Sequence, residues 1–314
     1  MPAAAAASLS ALLQDAARRL EAGLGLEVRT AKLEARVLAG LALGCDTAWL
    51  IAHEPEPLFS DAAIAFAALL ARRLTGEPVA YLRGEQEFFG RAFLVNPAVL
   101  IPRPETELLV ETALAALPAG AAARVLDLGT GSGALALTLA SERPGWEIYA
   151  SDASPVALAT AQLNARRLGV RHVRFWAGDW WQSVADVKFF DMVLSNPPYV
   201  AEDDPHLAAL AYEPRGALVA PDAGRAALAA IIAGASPRLA PGGWLWLEHG
   251  WKQGGWCRER LAEAGLKNVA TRRDSAGLER VTGGQKCRNS LQFGAVLPGV
   301  AQRQGRPERV CVES

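Results

Sequence analysis

Cysteine is scarce in this chain of 314 residues, and its four copies form no recognisable pattern. Cys45, Cys257, Cys287 and Cys311 are scattered, with neither a CxxC pair nor the Cys/His spacing of a metal site. Scattered cysteines in a chain of this length are typical of reduced thiols rather than of a disulfide framework. We therefore expect a cytoplasmic protein with no bound metal.

Long hydrophobic runs and an excess of either charge are also missing. No apolar stretch approaches the ~20 residues that span a bilayer, and the alanine-rich residues 1–13 lack the basic start of a signal peptide. The formal net charge is −1, so no overall basic field attracts nucleic acid or anionic lipid, although a local basic patch is compatible with this balance. These absences favour a soluble protein with no membrane partner.

Residues 1–76 are predicted to be helical throughout. Leucine and alanine recur there at spacings of three and four residues, which is the period of an amphipathic helix. A first helix is predicted to end at Gly23 and Gly25, and a second to extend over residues 30–43 and end at Gly44. Asp46 is predicted to precede a short third helix, and Ser60 and Gly76 to mark the two ends of a fourth. Four helices with short connections indicate a small bundle.

Residues 77–103 are predicted to form a β-hairpin linker. Two strand-like segments, 79–82 and 88–95, flank Gly84, which suits a turn. Pro104 then opens a helix with two glutamates in its first turn, where the helix dipole favours acidic side chains.

Residues 104–284 alternate strand-like and helix-like segments. The predicted strands are 125–128, 147–151, 172–176, 190–195, 244–247, 268–271 and 279–282, and the main predicted helices are 134–140, 222–239 and 253–264. This alternation predicts an α/β fold, a Rossmann-like doubly wound and mostly parallel sheet that binds ligands at the carboxyl ends of its strands. Residues 285–314 lose the alternation and are predicted to be a loosely ordered tail.

The segment Asn196-Pro197-Pro198-Tyr199 follows the predicted strand 190–195. Each proline fixes φ and has no N–H, so the Asn196 side-chain oxygen and the backbone carbonyls form a rigid set of acceptors beside the Tyr199 ring. Such a set suits a planar group that carries an NH2. A proline-rich turn that merely closes the strand is the alternative.

A glycine-rich loop, Asp127-Leu128-Gly129-Thr130-Gly131, follows the first strand of the sheet. Glycine lets the backbone approach a ligand closely because it has no Cβ. The spacing differs from the GxGxxG that holds a pyrophosphate, and the preceding Asp127 would attract a cationic amino-acid group rather than an anion. A tight turn without a ligand is the alternative.

Acidic residues also end the next two strands. Asp152 is placed to accept hydrogen bonds from both hydroxyls of a ribose, unless it only caps the following helix, a role for which Ser154 competes. Asp179 would receive an exocyclic amine, and Trp180 offers a face to an adenine ring. Trp180 and Trp181 could equally be packing residues of the core or of a lid.

These strand ends and Asn196 would meet in one crevice, and together they fit S-adenosylmethionine. The set resembles the class I methyltransferases that methylate amino groups and carry this motif after the fourth strand. The resemblance implies S-adenosylmethionine as the cofactor, held by residues from each strand end: Asp127, Leu128, Gly129, Thr130, Gly131, Asp152, Asp179, Trp180 and Asn196.

Other segments narrow the resemblance to one family. Residues 100–107, residues 77–82 with Gly84 and Phe88, and residues 279–282 are similar to the bacterial peptide chain release factor N5-glutamine methyltransferases, the HemK/PrmC-like family. A sister family that modifies a ribosomal protein has Pro-Arg-Ser-Pro where this chain has Pro-Arg-Pro-Glu-Thr, which favours a release factor as the substrate.

This resemblance extends over roughly residues 5–284 and implies a division of labour. Residues 1–76 would help to hold the release factor, and residues 104–284 would methylate the glutamine of its GGQ loop in support of translation termination. Asn196 and the Pro197 carbonyl would orient the target amide, with Pro198 and Tyr199 completing the substrate site.

Two alternatives remain from the residues alone. A nucleic-acid N-methyltransferase would also present an NH2 to Asn196, but it needs base flipping and a basic groove. A non-catalytic binding protein would keep the sheet without turnover. Two further features are interpreted as structural: His249 as a packing residue, and Gly283-Gly284-Gln285 as a turn that resembles the family's target tripeptide by coincidence.

Overall fold

The computed structural model describes residues 8–57 and 60–288. The predicted helices of the N-terminal part are present as α1 (Leu9–Leu24), α2 (Val28–Leu43), α3 (Thr47–Ala52) and α4 (Ser60–Leu74). Their apolar faces meet in a core of their own that includes Leu20, Leu38 and Phe66. Within residues 8–57 and 60–288, no helix has both the length and the apolar character that a bilayer crossing needs.

Local capping signals set most of these helix ends. Gly25 and Gly44 end α1 and α2 in the left-handed conformation, with φ of 66° and 64°. The Asp46 side chain accepts a hydrogen bond from the Trp49 N–H at 2.8 Å and so caps α3, as predicted. The predicted stop at Gly23 is wrong, because Gly23 lies inside α1 and the left-handed turn comes two residues later.

The hairpin is present, but its predicted strands are wrong. Residues predicted as the strand 79–82 form α5 (Val79–Arg83), which Gly84 ends with a φ of 73°. The predicted strand 88–95 covers the last residue of β1 (Glu85–Phe88), the turn, and β2 (Arg91–Leu94), which pairs antiparallel with β1. Phe89 and Gly90 connect them with φ of 49° and 72°, and two consecutive positive φ angles match the twist of a tight hairpin.

A seven-stranded sheet forms the second part of the molecule and confirms the predicted fold class. Its strands are β3 (Arg124–Leu128), β4 (Glu147–Asp152), β5 (Val173–Ala177), β6 (Phe190–Ser195), β7 (Leu239–Glu248), β8 (Lys267–Arg273) and β9 (Glu279–Gln285). The spatial order is β5-β4-β3-β6-β7-β9-β8, with the first five strands parallel and β9 antiparallel to both of its neighbours. Strand order therefore reverses between β3 and β6, where open α/β sheets bind their ligands.

Helices cover both faces of this sheet. They are α6 (Pro104–Ala116), α7 (Ala134–Glu142), α8 (Pro155–Arg167), α9 (Arg215–Leu218), α10 (Pro221–Gly224), α11 (Ala226–Arg238) and α12 (Gly254–Glu263), with 3-10 turns at Trp180–Gln182 and Pro205–Leu210. Two buried clusters fill the space between sheet and helices, one containing Val125 and Leu137 and the other Leu126 and Ile231.

The single helix predicted for 222–239 is wrong. Asp222 and Ala223 lie inside α10 with φ of 55° and 52°, so α10 is itself a left-handed turn and the regular helix begins only with α11. Gly224 continues this turn, and a Cβ there would lie 2.1 Å from the Tyr199 carbonyl oxygen. The break therefore lets the chain pass closely beside the segment that contains Asn196.

The end of β9 also corrects the prediction. Gly283, Gly284 and Gln285 lie inside the strand and not in a turn, and a Cβ at Gly283 would come within 2.2 Å of the Trp246 ring. Gln285, predicted as the first tail residue, pairs with Trp244 of β7. Residues 289–314 of the predicted tail lie outside the described residues.

Candidate active site

A cavity of about 490 Å³ lies at the carboxyl ends of β3, β4, β5 and β6. Nine of the predicted site residues line it: Asp127, Gly129, Thr130, Gly131, Asp152, Asp179, Trp180, Asn196 and Pro198. Leu128 does not, because its side chain is fully buried in the core. Pro197 and Tyr199 are also absent from the cavity lining.

Asp127 is buried near the end of β3 with 2% of its surface exposed. It accepts a hydrogen bond from the Thr130 hydroxyl at 2.7 Å. Burial raises the pKa of Asp127 to about 7, while the hydrogen bonds from Thr130 and from the Ala136 backbone act in the opposite direction. A cation placed beside this carboxyl would therefore favour its ionised form and be held by it.

Asp152 links the glycine-rich loop to the start of α8. One carboxylate oxygen accepts from the Gly131 N–H at 2.9 Å and the other from the Ser154 N–H at 2.8 Å. The cap of α8 is the Ser154 hydroxyl, which accepts from the Ala157 N–H. Each oxygen of Asp152 thus keeps acceptor capacity for a ligand's hydroxyl groups, although burial raises its pKa.

The two neighbouring tryptophans have different places. Trp180 lines the cavity, and its ring lies 3.6 Å from the position that a Cβ on Gly129 would take. Trp181 packs on α11, where its indole N–H donates to the Ile231 carbonyl at 3.0 Å and its ring fills the space beside Gly234. Of the pair, Trp180 can therefore offer a face to a bound ring.

Asn196 follows β6 and reaches the cavity with a defined partner. Its Nδ2 donates to the Thr106 hydroxyl oxygen at 3.0 Å. Tyr199 instead points its hydroxyl at Glu248, to which it donates at 3.0 Å, and its backbone carbonyl accepts from Gln253. Of the two prolines in this motif, Pro198 lines the cavity together with Asn196, and Pro197 does not.

Sequence reasoning missed the opposite wall, which residues 98–102 and 214–217 help to build. Glu213 joins these segments, because its carboxylate accepts from the Ile101 N–H at 3.0 Å and forms an ion pair with Arg103. The Tyr81 hydroxyl supports the same wall by donating to the Val99 carbonyl at 2.7 Å. Residues 100–107 stood out as a motif, whereas no local signal marks Glu213.

Glu248 is a second buried acid that the sequence did not single out. It ends β7 with 1% of its surface exposed, and burial raises its pKa to about 7. His249 beside it does not line the cavity and has polar partners at both ring nitrogens, Thr282 at 2.7 Å and the Gly250 carbonyl at 2.9 Å. This environment agrees with the interpretation of His249 as a packing residue.

The donor set of the cavity fits S-adenosylmethionine. A buried acid, a second acid with free acceptor capacity, and a tryptophan face occupy three successive strand ends, opposite a mainly apolar wall. Gly129 and Gly131 have φ of 77° and 56°, a conformation that glycine adopts without strain and that brings bare backbone to the cavity.

Comparison with known proteins gives consistent results along the chain. A model of the PrmC N-terminal domain matches residues 11–84, and a model of the methyltransferase small domain matches residues 104–212. The chain is 53% identical over 255 residues to the release factor glutamine methyltransferase of Bordetella pertussis, with 81% of this chain and 94% of that protein covered. It is 42% identical over 275 residues to the release factor glutamine methyltransferase of Escherichia coli, covering 87% and 97%.

Among solved structures, the catalytic domain of hMettl16 in complex with the MAT2A 3′UTR hairpin 1 is similar in fold. The TM-score is 0.51 at 13% identity, with 76% of this chain and 94% of that chain covered. At this identity the similarity supports the fold of the sheet domain and nothing about its substrate.

Proposed function

The chain belongs to the family of release factor glutamine methyltransferases, and on that premise we propose that it methylates the side-chain amide nitrogen, N5, of the glutamine in the GGQ loop of peptide chain release factors. It is an S-adenosylmethionine-dependent methyltransferase, and release factors are its substrates. One observation supports the glutamine amide as the methylated group. Asn196 lines the same cavity as the three aspartates at the strand ends, and its amide nitrogen is hydrogen-bonded to Thr106, which leaves its oxygen free to accept.

The proposed cofactor contacts follow the strand ends. Asp127 would hold the ammonium group, Asp152 the ribose hydroxyls, and Asp179 with Trp180 the adenine. Gly129, Thr130 and Gly131 would let the backbone approach closely. When bound, S-adenosylmethionine supplies a methyl group that its sulfonium has already activated.

Asn196 would act on the target amide through its free oxygen. A glutamine amide is a weak nucleophile because its nitrogen lone pair is delocalised into the carbonyl. Hydrogen bonds from the target NH2 to Asn196 Oδ1 and to the Pro197 carbonyl would orient the nitrogen and stabilise the positive charge that develops on it. Pro198 would form the adjoining wall of the substrate site. Tyr199 would hold the motif in place through the hydrogen bond from its hydroxyl to Glu248.

The helical unit of residues 1–76 would recognise the body of the release factor. Among its described residues, large hydrophobic side chains are exposed to solvent at six positions: Val28, Leu33, Leu41, Trp49, Ile51 and Ile64. It also contacts the cavity's surroundings, since the Thr75 and Tyr212 hydroxyls lie 2.6 Å apart. Exposed apolar groups of this kind support a role in protein binding.

Labelled cofactor and an intact release factor test the methylation site. We expect label on the glutamine of the GGQ loop by peptide mapping, no label on a release factor with that glutamine changed to alanine, and none on ribosomal or transfer RNA. Label on another residue would overturn the proposed target, and label on RNA would revive the nucleic-acid alternative.

Surface substitutions test the helical unit without removing it. Leu33→Asp and Ile64→Asp change side chains that are 61% and 68% exposed, and Val156→Asp on α8, 60% exposed, is the matched control in the sheet domain. We expect the first two to raise the KM for intact release factor while the control leaves it unchanged. A short peptide with the target glutamine should be a poor substrate for all forms, because it lacks remote contacts that offset the ordering of a flexible loop. Equal KM values for all three variants would remove the recognition role from this surface.

A further inference from the structure

Two side chains from distant parts of the sequence, Thr106 and Glu248, meet behind Asn196. Thr106 is in the first turn of α6, and Glu248 ends β7. Ser195 of β6 pairs in parallel register with Leu247 of β7, so the residues that follow, Asn196 and Glu248, lie side by side at the end of this strand pair. Thr106 is 7% exposed and lies within hydrogen-bond distance of Asn196.

The hydrogen bonds at this junction have a direction. Asn196 Nδ2 can only donate, so Thr106 Oγ1 accepts from it, and the single hydroxyl proton of Thr106 must go elsewhere. The Glu248 carboxylate is next to it, and the Thr106 hydroxyl favours the charged form of that group. Tyr199 donates to Oε1 of the same carboxylate, whereas Oε2 has no partner of good geometry in the described part of the chain.

The surroundings of Glu248 determine at which pH its carboxyl is ionised and can only accept hydrogen bonds. Burial raises its pKa to about 7, and the Glu105 charge acts in the same direction. The nearby hydroxyl of Thr106, the hydrogen bond from Tyr199 and the charge of Arg280 oppose this rise. Arg280 is itself paired with Asp274 at 2.8 Å, so it does not neutralise Glu248 directly.

We propose that Glu248 and Thr106 are positioning residues that fix the orientation of the Asn196 amide, with Oδ1 and not Nδ2 directed at the substrate. This inference rests on the proposed function, in which Asn196 Oδ1 accepts a hydrogen bond from the target amide. An ionised Glu248 can only accept, so in this arrangement the Thr106 proton would turn to Oε2, which has no partner among the described residues, while its oxygen accepts from Asn196 Nδ2. A reversed Asn196 would place its NH2 against the NH2 of the substrate, two donors without an acceptor.

Protonation of Glu248 removes this constraint. A neutral carboxyl can donate to Thr106 Oγ1, which frees the threonine proton for Asn196 Oδ1 and stabilises the reversed amide. The same reasoning gives a role to the hydrogen bond that joins Thr106, in the first turn of α6, to an asparagine 90 residues later.

A matched pair of variants tests the relay in kinetics. Thr106→Val keeps the shape and removes the hydroxyl, and we expect kcat on intact release factor to fall about 5- to 100-fold, as for a buried donor left unpaired. Thr106→Ser keeps the hydroxyl and should stay within about threefold of the wild type. In an Asn196→Ala background, Thr106→Val should have no further effect on kcat, because it acts through Asn196. An equal loss in both backgrounds, or a wild-type kcat for Thr106→Val, would overturn the proposal.

The side-chain amide of Asn196 provides a readout independent of turnover. Its two N–H resonances, assigned by their loss in Asn196→Ala, should shift with an apparent pKa near 7 in the wild type. Glu248→Gln should abolish this titration and also the fall in kcat of the saturated enzyme below about pH 7. Resonances that do not respond to pH in the wild type would refute the relay. If no release factor is methylated, the proposed function fails, while the resonances still decide whether Glu248 controls Asn196.

Discussion

Asp152→Asn should weaken cofactor binding far more than its small change in shape suggests. Both carboxylate oxygens accept backbone hydrogen bonds, from Gly131 at 2.9 Å and from Ser154 at 2.8 Å. In asparagine one of these positions becomes an NH2, so one backbone donor faces another donor. The variant therefore loses an acceptor in the loop as well as the negative charge proposed to receive the ribose hydroxyls.

The magnitude follows from these bonds. A hydrogen bond to a charged group contributes about 1.5–3 kcal/mol, so losing one to the ribose should raise the Kd for S-adenosylmethionine about 10- to 150-fold. The donor left facing an NH2 should lower the free energy of unfolding by about 1–3 kcal/mol. Calorimetric titration with the cofactor measures the first effect, and denaturant unfolding of the ligand-free protein measures the second.

Ser154→Ala is the matched control for this prediction. It removes the hydroxyl that caps α8 but leaves the backbone N–H that donates to Asp152. Loss of an N-cap costs about 1 kcal/mol of stability, so this variant should be destabilised while its cofactor Kd stays within about threefold of the wild type. If Asp152→Asn binds the cofactor as tightly as Ser154→Ala does, Asp152 only holds the loop and the proposed ribose contact is refuted.

Three further predictions concern other parts of the molecule. Asn196→Ala should lower kcat by roughly 100- to 1000-fold, since one such transition-state hydrogen bond is worth about 2.7–4 kcal/mol. Calorimetry should show cofactor binding close to normal, and near-normal turnover would refute the proposed role of Asn196. Burial raises the pKa of Asp127 in the folded protein to about 7, above the 3.8 of an exposed aspartate, so the folded state binds the proton more tightly and the free energy of unfolding falls as pH rises between these values. A cationic cofactor group favours the ionised carboxylate, so the cofactor should raise the melting temperature more at pH 8 than at pH 6. Asp127→Asn should remove this difference. An equal rise at both pH values in the wild type would contradict the prediction. Gly283→Ala should destabilise the protein by about 1–3 kcal/mol in denaturant unfolding, because its Cβ would lie 2.2 Å from the Trp246 ring; unchanged stability would mean that β7 and β9 separate easily.

Much of the fold and of the cofactor side of the cavity could be predicted from neighbouring residues. The glycines that end α1 and α2 and the aspartate before α3 act within one turn of the backbone, so their effect is visible in a short window of sequence. The alternation of segments predicts parallel strands, and parallel strands necessarily bring Asp127, Asp152 and Asn196 to one edge. These inferences need no knowledge of side-chain packing.

The errors occur where packing overrides local preference. Residues 79–82 have a strand-like composition, yet they form the helix α5, with the Tyr81 ring buried and its hydroxyl on Val99. The run 222–239 has a helical period, yet it breaks at Asp222 and Ala223, where Gly224 passes against Tyr199. In both places a contact with a distant segment determines the backbone conformation, and the neighbouring residues in the sequence give no signal of that contact.

The sequence by itself determined the four N-terminal helices, the alternation of strands and helices in the sheet domain, and which polar residues follow the parallel strands, because φ restrictions, periodicity and capping act between close neighbours. Only the tertiary structure decided what stands behind and opposite those residues. Glu213 reaches Arg103 across 110 positions, and Thr106 reaches Asn196 across 90, so the partners are chosen by the packing of α6 and of the loop after β6 against the sheet. Buried polar groups must find partners wherever the chain brings them together, and that requirement is satisfied in space rather than along the sequence.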